Sequence, residues 1–306
     1  VSPPTDKIEA NNTDGWTRIQ GEFWRAGGIA PDLELKDVLP RFTDEAIQVI
    51  DGHVREKSKQ PLLLYLAYPA PHTPWLPSPE FVGKSDASMY GDFAMMVDHN
   101  VGQVLGKLDT AGLSEDTLVI FTSDNGPVWY EADVQRFSHD SSGGLRGMKA
   151  DAWEGGHRMP FIVRWPNKVA AGSQCDQLIS FADMLATFAD ITGQKLADNA
   201  GPDSFSILNL LNGIDKPVRP SLAMRSGSGF MTIRKGEWKL IDGLGSGGFS
   251  KPRKVKPGLS DPAGQLYNLA DDPGETTNLY DDHPVTVKEL MQELEWIESN
   301  KVSRQR

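Results

Sequence analysis

The feature that most constrains this chain is a short apolar run that stops abruptly in a carboxylate, an amide and a glycine: Thr117-Leu-Val-Ile-Phe-Thr-Ser-Asp-Asn-Gly126. Leu118 to Phe121 suits a strand covered on both faces, as in the parallel sheet of an α/β domain. In open α/β sheets, ligands bind beyond the carboxyl ends of the strands. Asp124 and Asn125 offer hard oxygen atoms there, of the kind that suit Ca²⁺ or Mg²⁺, and Gly126 lets the backbone turn away. The same three residues also form a common turn sequence with no ligand at all. On this stretch alone both readings stay open.

The rest of the chain supplies layers around that run. Residues 1 to about 40, rich in Pro, Gly, Asn and Asp, read as irregular. Thr43 is placed to cap a helix in which Phe42, Ala46, Ile47, Ile50 and Val54 share a face. Leu62 to Tyr68 reads as another buried strand, ended by Pro69, Pro71 and Pro74, with His72 in the loop beyond it. Phe93, Val97, Val101, Val104 and Leu108 predict a helix over roughly 89–110, closed by Gly112. This strand–helix–strand order implies a right-handed crossover in a largely parallel sheet. Residues 127–147 form a long polar loop containing Trp129, Tyr130 and His139, and loops of that length are usually functional or disordered. Phe161 to Trp165 is a further strand. Ser180 is placed to cap a helix with Phe181, Leu185, Phe188 and Ile191 inward. From about residue 218 the pattern changes: a hairpin around Lys235-Gly236, a short strand from Leu266, and a closing helix opened by Pro284 with Val287, Leu290, Leu294 and Ile297 on one side. The expected fold is therefore α/β, with a mostly parallel central sheet flanked by helices and a smaller C-terminal antiparallel sheet with its closing helix. The expected division is 1–217 for the α/β part and 218–306 for the antiparallel part.

Composition narrows the function. The 306 residues carry a formal charge of −11, and no basic stripe compensates, which argues against a nucleic-acid binder. An anionic substrate would need a locally positive pocket. No apolar run approaches the roughly 18 residues of a membrane span. One cysteine, Cys175, excludes an internal disulfide framework. Val1-Ser-Pro-Pro-Thr lacks the basic and then apolar start of a secretory signal, and the first residue is not Met, so a natural beginning is expected to be missing.

Two further stretches, taken in order with the first, carry a resemblance. They are Pro61-Leu-Leu-Leu-Tyr-Leu-Ala-Tyr-Pro-Ala-Pro-His-Thr-Pro74, and Gly143-Gly-Leu-Arg-Gly-Met-Lys-Ala-Asp-Ala-Trp-Glu-Gly-Gly156 running on to Pro160-Phe-Ile-Val-Arg-Trp-Pro166. In this order and spacing they resemble the type I sulfatases of the alkaline phosphatase superfamily, over nearly the whole chain. The resemblance implies that Asp124 and Asn125 are ligands of a divalent cation, usually calcium. It implies that His72 and Lys149 contact the sulfate, with Trp129 and His139 as weaker candidates on the rim. It also implies a sulfuric ester hydrolase acting on a sulfated glycan or aryl substrate in a periplasmic or secreted setting. One departure stands out. The family oxidises a Cys or Ser in Cys/Ser-x-Pro-x-Arg to formylglycine, whose hydrate is the nucleophile. Cys175 lies in Gln174-Cys-Asp-Gln-Leu, which is not that motif, and the family's Asp pair among the metal ligands is not identifiable. The expectation is that these 306 residues are the C-terminal two-thirds of a sulfatase, inactive alone, with the formylglycine upstream. Two alternatives keep the fold: a non-catalytic relative that binds sulfated glycans, and a phosphate-ester hydrolase.

Overall fold

The computed structural model describes residues 30–57, 59–197 and 199–304, and they form two compact units. The first holds the described residues up to Thr117 together with Glu131–His139; the second holds Leu118–Tyr130 and the described residues from Asp140 onward.

In the first unit, helix α1 spans Val38–Glu56 and buries Leu39, Thr43, Ala46 and Ile50. This stripe recurs every three to four positions, as one helix face must. Thr43 is therefore not the cap that its sequence context suggests. The helix starts five residues earlier and accepts Pro40 in its first turn, where a missing N–H costs nothing. Thr43 instead lies inside, donating to Asn100 Oδ1 at 2.7 Å and meeting the Tyr68 hydroxyl at 2.8 Å. Phe42 and Val54, expected inward, are exposed. Helix α2, Ser88–Thr110, agrees closely with its sequence periodicity. Leu39, Trp75, Phe93, Met96 and Val97 form the core of this unit. Asp92, buried on α2, accepts backbone N–H bonds from Gly83, Lys84 and Ser85 and so pins the loop before the helix. A short helix, α3, spans Glu131–Phe137.

Leu62–Tyr68 departs from expectation. It belongs to no named strand, and Leu63 and Tyr65 are 73% and 89% exposed. An apolar run becomes a strand only where a neighbour takes its N–H and C=O groups, and among the described residues none does.

In the second unit, β1 (Val119–Thr122) pairs antiparallel with β2 (Phe161–Arg164), Val119 opposite Arg164 and Thr122 opposite Phe161. The two sheets among the described residues contain only antiparallel pairs, so the expected parallel ladder is not seen there. The α/β class, the C-terminal antiparallel sheet and its helix are as expected. Helix α4 spans Asp183–Ile191 and buries Asp183, Ala186, Thr187 and Ala189, whereas Phe181 and Leu185 are exposed. A single helical turn, α5, covers Leu208–Leu211.

The C-terminal sheet is a meander of β3 (Leu222–Arg225), β4 (Met231–Lys235), β5 (Trp238–Ile241) and β6 (Gln265–Asn268). Gly236, with φ +56°, makes the β4–β5 turn. Helix α6, Pro284–Asn300, lays Val287, Leu290 and Leu294 on Ile233, Leu240 and Leu266. Each such fully buried side chain stabilises by roughly 1.5–3 kcal/mol. Strand alternation sends Lys239, Ile241, Gln265 and Tyr267 to the opposite face. That face is covered too: Ala152 and Trp153 pack on Ile241, Tyr267 and Leu269.

Arg219 ties α4 to the connection that follows it. Its guanidinium pairs with Asp183 and donates to the Asp203 and Ser221 carbonyls, and both charged side chains are almost completely buried. The other Asp183 acceptor sites take the Ser180 and Phe205 amides at 2.7 and 2.9 Å. Arg219→Leu strands a buried carboxylate, so the denaturant midpoint is expected to fall by the equivalent of about 3–5 kcal/mol. A loss below about 1 kcal/mol, within the range of a surface pair, would show that the pair is not buried in solution.

Candidate active site

The loop after β1 and the loop before β2 are clasped by their backbones. Gly126 N donates to Gly156 O at 3.0 Å, and Lys149 N donates to Pro127 O at 2.7 Å. The contact is close because both sides lack side chains. A Cβ on Gly126 would lie 1.8 Å from the Gly155 carbonyl oxygen, and one on Gly155 would lie 2.4 Å from that of Gly147. Gly143, Gly144 and Gly147 all have positive φ, and so does the non-glycine Ala150 at +73°. A non-glycine residue held there costs about 1–3 kcal/mol and persists only where its surroundings fix it.

This clasp joins the backbone of Lys149 to that of Pro127, two residues beyond Asn125. Asp124 is exposed and Asn125 half-buried, two and three residues beyond β1. Asn125 Nδ2 donates to Gly126 O at 3.1 Å. Lys149, half-buried, enters next to Pro127 through the backbone bond just described. Trp129 is buried. His72 and His139 belong to the first unit, and both are exposed. His72 Nδ1 lies 2.7 Å from the Thr73 carbonyl, so Nδ1 carries a proton in that contact.

The residues that hold the loop were not singled out by the sequence reading. Lys239 is 0% exposed, and its Nζ lies 2.9 Å from Glu154 Oε1, 2.9 Å from Glu275 Oε1 and 3.3 Å from His157 Nε2. Arg234 and Arg158 approach the other Glu154 oxygen at 3.4 and 3.9 Å. The second Glu275 oxygen accepts the Glu154 backbone N–H at 2.6 Å. Arg146 stacks on Trp153 at 3.7 Å and donates to the Tyr267 hydroxyl and the Glu275 carbonyl. The sequence signal for this cluster is Trp153-Glu-Gly-Gly, an acidic residue set between an aromatic ring and two glycines that cannot pack.

Comparison with known proteins shows the family of the chain. The sulfatase family model matches residues 34–194. An N-acetylgalactosamine-6-O-sulfatase of Bacteroides thetaiotaomicron is 35% identical over 296 residues, covering 94% of this chain and 56% of that protein. The chain belongs to the sulfatase family. The human steryl-sulfatase is 37% identical over 186 residues, 60% of this chain and 31% of that one. A solved sulfatase structure from work on glycosaminoglycan metabolism by Bacteroides thetaiotaomicron superposes with a TM-score of 0.77 at 34% identity, covering 87% of this chain and 55% of that chain. The chain thus spans about half the length of the two Bacteroides thetaiotaomicron proteins.

Sulfatases are expected to use calcium, and the residues present fit part of such a site. Asp124 and Asn125 supply hard oxygens, two of the roughly 6–8 that a calcium ion takes. Among the described residues no group of three or more His, Cys, Asp or Glu side chains is placed to hold a metal ion. No helix among them is long and apolar enough to cross a membrane.

The buried cluster gives this sulfatase chain a pH signature. Burial, aided by the Lys239 charge, holds the His157 imidazole below its ordinary range. For Glu154, burial alone would raise the carboxyl, but the His157 hydrogen bond and the Lys239 charge outweigh it and hold the carboxyl well below the usual range. Burial pushes the Glu275 carboxyl up. As pH falls through about 6.5 the unfolded chain takes up the histidine proton first, so His157 subtracts stability; Glu154 does the same below about 4.3. Glu275 acts oppositely: its contribution is full below about 4.3 and fades as pH rises through its raised folded value. The denaturant midpoint is therefore expected to fall more steeply between pH 7 and pH 5 in the wild type than in His157→Asn. Parallel profiles for the two would exclude a neutral buried His157.

Proposed function

We propose that the complete protein is a sulfuric ester hydrolase, converting R–O–SO₃⁻ and water to R–OH and hydrogen sulfate, with a sulfated saccharide as R. The observation that carries this reading is the backbone clasp that sets Lys149 against the Asp124–Pro127 turn, in a chain of the sulfatase family. The saccharide is suggested by the relatives, one named an N-acetylgalactosamine-6-O-sulfatase and one from glycosaminoglycan metabolism. An extracytoplasmic location goes with such polymeric substrates.

Each residue then has a role. Asp124 and Asn125 hold the cation, which when bound supplies a Lewis acid for the sulfuryl oxygens. The Lys149 ammonium stabilises the charge on those oxygens, as a compact point charge can without a fixed fork geometry. We assign His72 the role of acid: as an imidazolium, keeping the Nδ1 proton on the Thr73 carbonyl, it would give its second proton to the leaving oxygen. Trp129 and His139 shape the rim. The 1–217 part carries the site and the 218–306 part buttresses it. No Cys/Ser-x-Pro-x-Arg stretch occurs in these residues, so the formylglycine nucleophile and the remaining metal ligands come from the length of the relatives that this chain does not span.

Two measurements test the reading. In the complete protein with calcium, Lys149→Ala is expected to lower kcat/KM for an aryl sulfate by roughly 10²–10³-fold, with the thermal midpoint unchanged because a half-exposed lysine carries little packing. A complete protein that prefers the matching phosphate ester, or that releases no sulfate, would overturn the assignment. Residues 1–306 alone are expected to release no sulfate from the same ester, since positive charge without a positioned nucleophile does not carry the reaction. Calcium-dependent turnover by these residues alone would mean that another nucleophile is present.

A further inference from the structure

We propose that Lys239 is a positioning residue of this site: from the floor of the C-terminal sheet it grips Glu154 and Glu275 together and so sets where the glycine clasp holds Lys149 and Asn125. The kinetic part of this inference rests on the sulfatase reading; the geometric part does not.

The geometry forms one continuous path. Lys239 and Arg234 stand opposite each other on β5 and β4, and Tyr267 lies opposite Lys239 on β6. The Lys239 ammonium is fully enclosed; it donates to Glu154 Oε1 at 2.9 Å and is ion-paired with Glu275 Oε1 at the same distance. Glu275 in turn accepts the main-chain N–H of Glu154, so both the side chain and the backbone of Glu154 are fixed from one point. Glu154 leads directly into the clasp. Gly155 N donates to Arg146 O at 2.7 Å, and Gly156 O accepts from Gly126 N, next to Asn125. Gly126 meets Gly155 and Gly156 at backbone distances with no room for a Cβ. A displacement of Glu154 is therefore passed to Gly126 and to the Gly147 turn before Lys149. Glu275 itself is held at φ +50° and is completely buried. An outlier of that kind needs its surroundings to over-determine it.

Apolar packing could bury the same surface, but it would not fix direction. Hydrogen bonds to a charge fix both distance and angle, and a buried charged group tolerates few alternative placements. A rate that depends on sub-ångström placement of Lys149 is sensitive to that difference.

The test uses the complete protein with calcium, an aryl sulfate, and two variants. Lys239→Met removes the ammonium and leaves two buried carboxylates unpaired. The triple variant Lys239→Met, Glu154→Gln, Glu275→Gln removes those charges as well, so that folding is recovered. The triple variant is expected to unfold within a few degrees of wild type, yet to keep kcat/KM at least 10-fold down and to need a higher calcium concentration for half-maximal rate. Recovery of stability together with kcat/KM and calcium dependence would overturn the proposal and leave Lys239 a stability residue. Amide hydrogen exchange is read in parallel and needs no activity. The Gly126, Lys149 and Gly155 amides are expected to exchange faster in the triple variant while the β4–β5 ladder is unchanged; equal exchange overturns the proposal. If the wild type releases no sulfate, the sulfatase reading fails, and exchange alone decides the positioning claim.

Discussion

An ammonium enclosed between two carboxylates is the interaction on which the second unit depends. Lys239 has no solvent to return to, and removing a charge of that size from water costs several kcal/mol unless partners replace the lost hydration. Glu154 and Glu275 replace it, and each comes from a different stretch of chain: one from the glycine-rich loop, the other from the turn after β6. The second face of the meander is thereby closed by a loop rather than by a helix. A loop can cover a sheet in this way only if its own backbone groups are satisfied. Here they are satisfied by Glu275, Arg146 and the opposing Gly126.

The parts of the fold legible in the sequence are those governed by a single period. Helix α2 and the closing helix α6 follow their apolar repeats, and the hairpin around Gly236 follows its turn residues. The sequence misleads where two faces are buried at once. Trp238-Lys-Leu-Ile belongs to the hairpin around Lys235-Gly236, and strand alternation separates Lys239 from the face of Leu240 without saying what covers it. Leu62–Tyr68 misleads in the other direction. Its apolar content marks a strand that needs neighbours on both sides, and sequence alone does not show whether neighbours are present. Thr43 was read as a cap because a hydroxyl before acidic residues suits a helix start, yet its bonds to Asn100 and Tyr68 serve it equally well inside.

The backbone approach around the candidate site was legible to a similar degree. Asp124, Asn125 and Lys149 could be picked out because their flanking glycines announce close backbone approach, and Gly126 and Gly147 do make that approach. His72 stood out by its prolines. Glu154 had only its Trp153-Glu-Gly-Gly context, and nothing local marks Glu275, whose partner lies 36 positions away on a strand.

A glycine-rich active loop carries an inherent conflict that this arrangement resolves. Glycine lets Gly126, Gly155 and Gly156 come within backbone contact, but it also loses the most conformational freedom on folding and offers no side chain to pack. Such a loop cannot hold itself in place. The side chains interspersed among its glycines must do so, and the available ones are Arg146, Asp151, Trp153 and Glu154. Each is engaged outside the loop: Arg146 on Tyr267 and Glu275, Asp151 on the Ser250 amide, Trp153 on Gln265, Glu154 on Lys239. All four reach the region from β5 onward. The C-terminal sheet and the loops around it are therefore the template against which the glycine-rich loop is set.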